Sequence, residues 1–153
     1  MQVNHKTINR EIKLAMHPSP KHNTLSRENK AVFSIQENSI LIGINIQVGL
    51  DLSEYNTHLY SKLLLLFLQT QKDFPIQFDK AKKESDFSQL HHISHSLKSS
   101  SGVIGALNLK KFSQDLEDMC LKKIMDYDLL FTVNNELRRV LEGIIKYQSI
   151  IER

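Results

Sequence analysis

The histidine-rich stretch HHISH, at residues 91–95, contains the side chains best suited to chemistry in this sequence. It lies in a segment whose apolar residues recur every three to four positions, which is typical of an amphipathic helix. At 100° per residue, four residues share the outward stripe of this helix: His91, His95, Lys98 and Gly102. His95 is therefore predicted to be accessible to solvent, with a cation one turn C-terminal to it. Gly102 leaves a notch in the same surface, at a cost in helix stability that invites a reason such as close approach by another backbone.

A zinc site is one alternative for this stripe, because His91 and His95 have the i, i+4 spacing of a ligand pair. Two ligands are too few, and HHISH lacks the general-base glutamate of the HExxH motif. Cys120 falls near the inward face of another predicted helix, where it is interpreted as a small core residue. We expect no metal site.

A kinase that binds ATP is disfavoured by the placement of the glycines. None of them forms a GxGxxG or GxxxxGK[ST] cluster, and all five are isolated: Gly43, Gly49, Gly102, Gly105 and Gly143. The sequence therefore predicts no cradle for the phosphates of a nucleotide.

The elements that must position the stripe are predicted to be helices from about Leu50 onward. We expect a helix over 53–74, with Leu59, Leu63, Leu66, Phe67 and Thr70 on one face, and a short one over 76–83 after Pro75. The helix of the stripe should be capped by Asp86, reach about Val103 and bury the seam Leu90, Ser94, Leu97, Ser101 and Ile104. Two more should begin near Leu107 and after Asp126. Residues 39–46 could be extended. The prediction is an all-α, antiparallel bundle of four helices with short extra N-terminal helices.

Composition restricts the function further. The chain has 153 residues and a net charge of +3. Residues 1–37 carry six cations and three anions, and the other 116 residues carry 14 of each. The first segment is predicted to be a flexible linker or tail, and residues 38–153 the folded domain. Because that domain is neutral, a nucleic-acid partner is disfavoured.

Three features of the sequence indicate the cellular location of the protein: a single Cys, a polar N-terminus and the lack of a long apolar run. One Cys cannot form an internal disulfide, and the six-residue run at 63–68 is far shorter than the roughly 20 residues of a membrane-spanning helix. We expect no signal peptide, no membrane contact and a cytoplasmic location.

The string ISHSLKSSSGVIGALNLKKFSQDLED resembles the signature of histidine-containing phosphotransfer (HPt) domains of multistep phosphorelays. The matching positions are Ser94, His95, Leu97, Lys98, Ser99, Gly105, Ala106, Leu109, Leu116 and Glu117. Ser94 and Ser99 stand where Ala and Gly are commoner. The stretch GINIQVGLDLSEYNTHLYSKLLLLF, at 43–67, is also similar to HPt modules at the C-terminus of hybrid sensor kinases.

This resemblance implies a four-helix bundle in a bacterial two-component pathway. His95 would accept a phosphoryl group from a receiver-domain Asp and pass it to another receiver Asp. Lys98 would supply a cation to the phosphoryl oxygens, and Glu117 would orient the ring of His95. The predicted partner-binding positions are His91, His92, Ser99, Gly102 and Gly105. No cofactor is expected on this chain, since the Mg²⁺ should belong to the receiver.

Two points stay open from the sequence. A helical adaptor that binds receiver or kinase domains without being phosphorylated is the alternative function. The chain could be a free-standing protein or the C-terminal part of a hybrid sensor kinase. We expect a monomer without ATP-binding or kinase activity of its own.

Overall fold

The computed structural model describes residues 35–153, and this part of the chain is helical, without a strand. Numbered in chain order, the helices are α1 (Ile35–Ile40), α2 (Ile46–Leu52), α3 (Thr57–Gln71), α4 (Phe74–Lys83), α5 (Phe87–Ile104), α6 (Leu107–Leu121) and α7 (Tyr127–Ile151). The predicted all-α fold is confirmed. The linker predicted for residues 1–37 lies almost entirely outside the described residues, and α1 crosses the boundary drawn between 37 and 38.

Four of the helices form the antiparallel bundle. Around the bundle, α3 packs on α5, α5 on α6, α6 on α7, and α7 again on α3. The most extensive contact is the one between α5 and α6. The short helices cover the outside, with α1 against α7, α2 against α5 and α3, and α4 against α5.

Side-chain caps fix where the long helices begin. The carboxylate of Asp86 accepts a hydrogen bond from the backbone N–H of Gln89 at 2.9 Å. The carboxylate of Asp126 accepts hydrogen bonds from the backbone N–H groups of Asp128 and Leu129, both at 3.0 Å. Both predicted caps are therefore confirmed. Residues 72 and 73 separate α3 from α4. Pro75 lies in the first turn of α4, where a backbone N–H would have no partner within the helix, so its absence costs nothing.

The predicted start of the first long helix near Ser53 is wrong. Ser53 instead follows α2, and its hydroxyl donates to the Gly49 carbonyl at 2.8 Å. Glu54 and Tyr55 then adopt positive φ angles of 51° and 58°, which interrupt the helical path, and α3 begins only after its cap, Asn56.

The predicted inward face of α3 is correct at Phe67 but wrong at three of its five positions. The buried residues are Tyr60, Leu64, Phe67 and Gln71, while Leu59, Leu66 and Thr70 are exposed. The centre of this helix, LLLLFL, is apolar all round, so its periodicity does not select a face. Tyr60 selects the buried face instead, because its hydroxyl donates a hydrogen bond to the Ile104 carbonyl at the end of α5, at 2.9 Å.

On α5 the predicted seam is confirmed, since all five of its residues are buried. Its two serines satisfy their hydroxyls inside the helix by donating to carbonyls one turn back. On α6, Ser113 does the same. On α7, Val133, Leu137, Val140 and Ile144 are buried, whereas Ile151, at the last turn, is exposed.

Residues 39–46, suggested as an extended segment, instead contain the end of α1, a turn with Gly43 at φ 78° and the start of α2. Within residues 35–153, no helix combines the length and apolar character needed to cross a membrane.

Gly105 ends α5 in the left-handed conformation, with φ at 82°. A Cβ atom there would lie 2.2 Å from the Asn45 carbonyl oxygen, and the Asn45 amide donates to the Gly105 carbonyl at 2.8 Å. The turn that leads from α5 into α6 therefore requires a glycine for two reasons, its φ and its close approach to the segment before α2.

We expect Gly105→Ala to lower the free energy of unfolding by more than about 1 kcal/mol, because it adds φ strain and a backbone clash. Gly102→Ala is the matched control. A Cβ there would meet only the flexible side chain of Lys110, at 3.3 Å, so stability should be unchanged or rise by up to about 1 kcal/mol. Urea unfolding of both variants followed by circular dichroism measures this difference. Equal effects of the two substitutions would contradict it.

Candidate functional site

The predicted outward stripe of α5 is exposed at His95, whereas its other three residues, His91, Lys98 and Gly102, are only partly exposed. The His95 side chain is 55% exposed. Because the seam buries the opposite side of α5, the ring stands on a helix face that is held rigidly by the bundle core. This combination gives an accessible imidazole in a fixed position.

A buried carboxylate on α6, that of Glu117, lies against this stripe. Its side chain is only 8% exposed, and its Oε1 is 2.7 Å from Nδ1 of His95. The same Oε1 is 3.2 Å from Nε2 of His91, and Oε2 forms an ion pair with the ammonium of Lys98. Three side chains, spaced i, i+4 and i+7 on α5, thus converge on one carboxylate.

The charge of Glu117 is set by two opposing influences. Burial raises the pKa of this carboxyl, but hydrogen bonds from Lys98 and from His95, with the positive charges behind them, lower it more strongly. The net effect places the pKa of Glu117 below its ordinary value. Glu117 is therefore ionised at neutral pH.

The ionised carboxylate determines where the proton of His95 resides. A carboxylate without a proton can only accept hydrogen bonds, so Nδ1 of a neutral His95 must be the donor. The second ring nitrogen, Nε2, then keeps its lone pair. In the neutral form of the ring, Nε2 is therefore the nitrogen that can act as a nucleophile.

The other predicted site residues fall into two groups. His92 and Ser99 are exposed on α5, and Gly102 lies between exposure and burial. Gly105 is buried, which corrects its placement among the partner-binding residues, because a buried helix-ending glycine offers no surface to a partner.

Lys98 differs from its prediction in what it contacts. The sequence assigned its charge to the phosphoryl oxygens, whereas the side chain is 20% exposed and its ammonium is paired with Glu117. His91 likewise contacts Glu117 and is not simply a solvated surface position.

One residue near the stripe was missed altogether. Lys110 of α6 places its aliphatic chain over the notch at Gly102, so the close approach there comes from a side chain and not from a backbone. Its position follows from the hairpin. The turn at 105–106 joins α5 to an antiparallel α6, so residues at similar separations from the turn meet, as His95 meets Glu117 and Gly102 meets Lys110.

Cys120 is buried beneath this surface, with its Sγ 3.8 Å from the Ser94 hydroxyl. Burial is the main reason that the pKa of its thiol is raised, which makes it a poor nucleophile. Its predicted place in the core is confirmed. In residues 35–153 no cluster of three or more His, Cys, Asp and Glu side chains is arranged to hold a metal ion.

Comparison with protein-family models matches residues 62–143 to the Hpt domain, more than half of the chain. The chain belongs to the Hpt domain family. The comparisons with curated proteins and with solved structures gave no match. The family predicted from HHISH and the residues after it is thereby confirmed.

Hpt domains take part in phosphorelays of two-component signalling, in which they carry a phosphoryl group on a histidine. They interact with receiver domains and act as carriers without catalytic activity of their own. In this Hpt domain, the matched region contains the whole of α5 and α6. It therefore includes Glu117 and the three side chains around it, which are His91, His95 and Lys98.

The lowered pKa of Glu117 predicts a contribution to stability that depends on pH. A carboxyl whose pKa is lower in the folded state than in the unfolded state stabilises the fold above its unfolded value, and the contribution disappears as the pH falls through the folded value. We expect the stability difference between the wild type and Glu117→Gln to be largest at neutral pH and to shrink below about pH 4.5. Urea unfolding at pH 7, 5, 4 and 3 measures it. A difference that stays constant over this range would refute the assignment.

Proposed function

We propose that His95 is the phosphoryl-carrying residue of this Hpt domain and that the phosphoryl group is bonded to Nε2. The observation that supports this is the 2.7 Å contact between Nδ1 and the buried carboxylate of Glu117. The contact commits one ring nitrogen to hydrogen bonding and leaves the other as the nucleophile. The exposure of His95 allows a partner to approach that nitrogen.

The transfer step then needs no additional acid or base. The Nε2 lone pair attacks the phosphorus of an aspartyl phosphate on a receiver domain, while the bond from phosphorus to the aspartyl oxygen breaks and the aspartate leaves as a carboxylate. The ring keeps its Nδ1 proton and gains positive charge. The negative charge of Glu117, to which that proton is donated, offsets this gain. The reverse reaction passes the group to the Asp of a second receiver.

Lys98 is assigned an indirect role in this proposal. Its ammonium helps to keep Glu117 ionised, and an ionised Glu117 is what holds the proton on Nδ1. A direct contact with the phosphoryl oxygens, as the family resemblance implied, requires the ammonium to move away from Glu117. The Mg²⁺ that neutralises the transferred group is assigned to the receiver.

The receiver is proposed to dock on the face around His95. His92 and Ser99 lie on this face with exposed side chains, and Gly102 adds a position without one. Because the docking face is confined to this part of the bundle, the encounter is expected to be transient. We also propose that the chain is a monomer and meets its receivers in the cytoplasm.

The test is transfer of labelled phosphate from a phosphorylated receiver. We expect the wild type to acquire label that is stable to base and labile to acid, as a phosphoramidate is, and His95→Gln to acquire none. The matched control is His58→Gln, which removes an exposed histidine from the start of α3 and should label like the wild type.

Normal labelling of His95→Gln would refute the assignment of the acceptor. The adaptor alternative would instead be supported if the wild type itself took no label and His95→Gln still bound receivers with unchanged affinity.

A further inference from the structure

Lys110 of α6 lies on the same face of the α5–α6 pair as His95. On α5, Gly102 follows His95 by seven residues, and on α6, Lys110 comes seven residues before Glu117. Seven residues are about two turns of a helix, so each pair occupies one stripe. The stripes touch at one end through the contact of His95 with Glu117. They touch at the other end through the contact of Lys110 with Gly102.

The side chain of Lys110 lies across the notch that Gly102 leaves in α5. A Cβ atom at Gly102 would be 3.3 Å from Cδ of Lys110, 3.5 Å from Cε and 3.6 Å from Nζ. The end of the lysine side chain, with its ammonium, therefore rests against α5. The residue as a whole is exposed, so its aliphatic stem packs while its charge stays in solvent.

The ammonium of Lys110 has no counter-ion within residues 35–153. Lys98, the other lysine of this face, is paired with Glu117, whereas no ion pair of the described residues includes Lys110. Asp118, the exposed acid next to Glu117, accepts a hydrogen bond from Gln114 at 3.0 Å. Lys110 is thus an exposed cation that is not neutralised by the described part of the chain.

The phosphorylation site of a receiver domain has the chemistry that fits this cation. Its phosphoryl group is anionic, and the Mg²⁺ assigned to the receiver is held mainly by carboxylates and other oxygen ligands. Gly102 lies about 10 Å along α5 from His95, at a rise of about 1.5 Å per residue. Even a small interface, of about 600 Å² on each partner, has a radius of about 14 Å. A receiver that reaches His95 therefore also covers Lys110.

We propose that Lys110 is a docking residue, whose ammonium meets acidic groups around the phosphorylation site of the receiver. The inference rests on the proposed function of His95. Lys110 sets the affinity of the encounter and takes no part in the transfer step, because it is two turns away from the acceptor. Gly102 serves this role by leaving room for the lysine on the surface of α5.

Three substitutions separate the charge of Lys110 from its packing. Lys110→Met keeps an aliphatic chain over Gly102 and removes the charge, whereas Lys110→Arg keeps the charge. The matched control is Lys111→Met, which removes an exposed cation from the next position, about 100° around α6. Because both lysines are exposed, all three variants should fold, and circular dichroism establishes that they do.

Binding is measured by isothermal titration calorimetry with the receiver of the labelling test, loaded with Mg²⁺ and beryllofluoride. Beryllofluoride mimics the phosphoryl group and is not transferred, so the titration reports docking alone. We expect Lys110→Met to raise the Kd about 2- to 5-fold at low salt, the range for one exposed ion pair. Lys110→Arg and Lys111→Met should bind like the wild type. Raising the salt to 0.5 M should shrink the difference, since salt screens exposed charges.

Transfer of labelled phosphate at increasing receiver concentration is the second measurement. We expect Lys110→Met to be slower than the wild type at low receiver concentration and equally fast at saturation. A docking residue predicts this pattern, because it changes how often the complex forms and leaves the reaction within it unaltered.

Three results would overturn the inference. One is an unchanged Kd of Lys110→Met at low salt. Another is an equal loss of affinity in Lys110→Met and Lys111→Met, which would reflect the overall charge of the domain. The third is slower transfer by Lys110→Met at saturating receiver with an unchanged Kd. Normal labelling of His95→Gln would refute the proposed function, whereas a loss of affinity specific to Lys110 would still support the docking face.

Discussion

The carboxylate of Glu117 is the point on which the arrangement of this site depends. It is nearly inaccessible to water, yet it is charged, and a buried charge without partners is strongly destabilising. Its partners all come from one face of α5. The bundle must therefore hold α5 and α6 in a single register, because a shift along either helix would leave the charge unpaired. Structure and chemistry impose the same requirement on this helix pair.

The seam between α5 and its neighbours shows how that register is kept. Small residues such as Ser94 and Ser101 occupy buried positions among Leu90 and Leu97, and each serine satisfies its own hydroxyl within the helix. Beneath the site, Ser94 also approaches Sγ of Cys120 on α6, at 3.8 Å. The turn at Gly105 fixes the end of α5, since the backbone carbonyl of Asn45 and the backbone amide of Gly49 leave no room for a side chain there. Apolar packing holds the helices together, and the buried carboxylate makes one register of α5 and α6 better than the others.

The sequence predicted the elements that have a clear period or a clear cap. The seam of α5 was identified from its period of three to four residues, and the caps Asp86 and Asp126 from the residue type that is favoured at a helix N-terminus. The inward face of α3 was not, since a helix that is apolar all round has no preferred side, and contacts distant in sequence decide it. The start of α3 was misplaced because Glu54 and Tyr55 take positive φ without a glycine to mark the turn.

The same distinction applies to the site. The spacing of His95, Lys98 and Gly102 on one helix was readable, because it involves only the helical repeat. Contacts that cross to α6 were not readable, since they depend on the register of two helices. The ion pair of Lys98 and the position of Lys110 over Gly102 are of this kind.

Charge balance explains why such a site can sit on a neutral domain. Glu117 and Lys98 offset each other, so the cluster around His95 presents no excess charge before phosphorylation. In the proposed transfer, phosphorylation of His95 would bring negative charge to a surface where the ammonium of Lys98 is already paired with Glu117. The cations that stabilise the transferred group must then come mainly from the partner. Under the proposed function, such a site would leave much of the stabilisation of the phosphoryl group to whichever receiver is docked, so the group could pass in either direction.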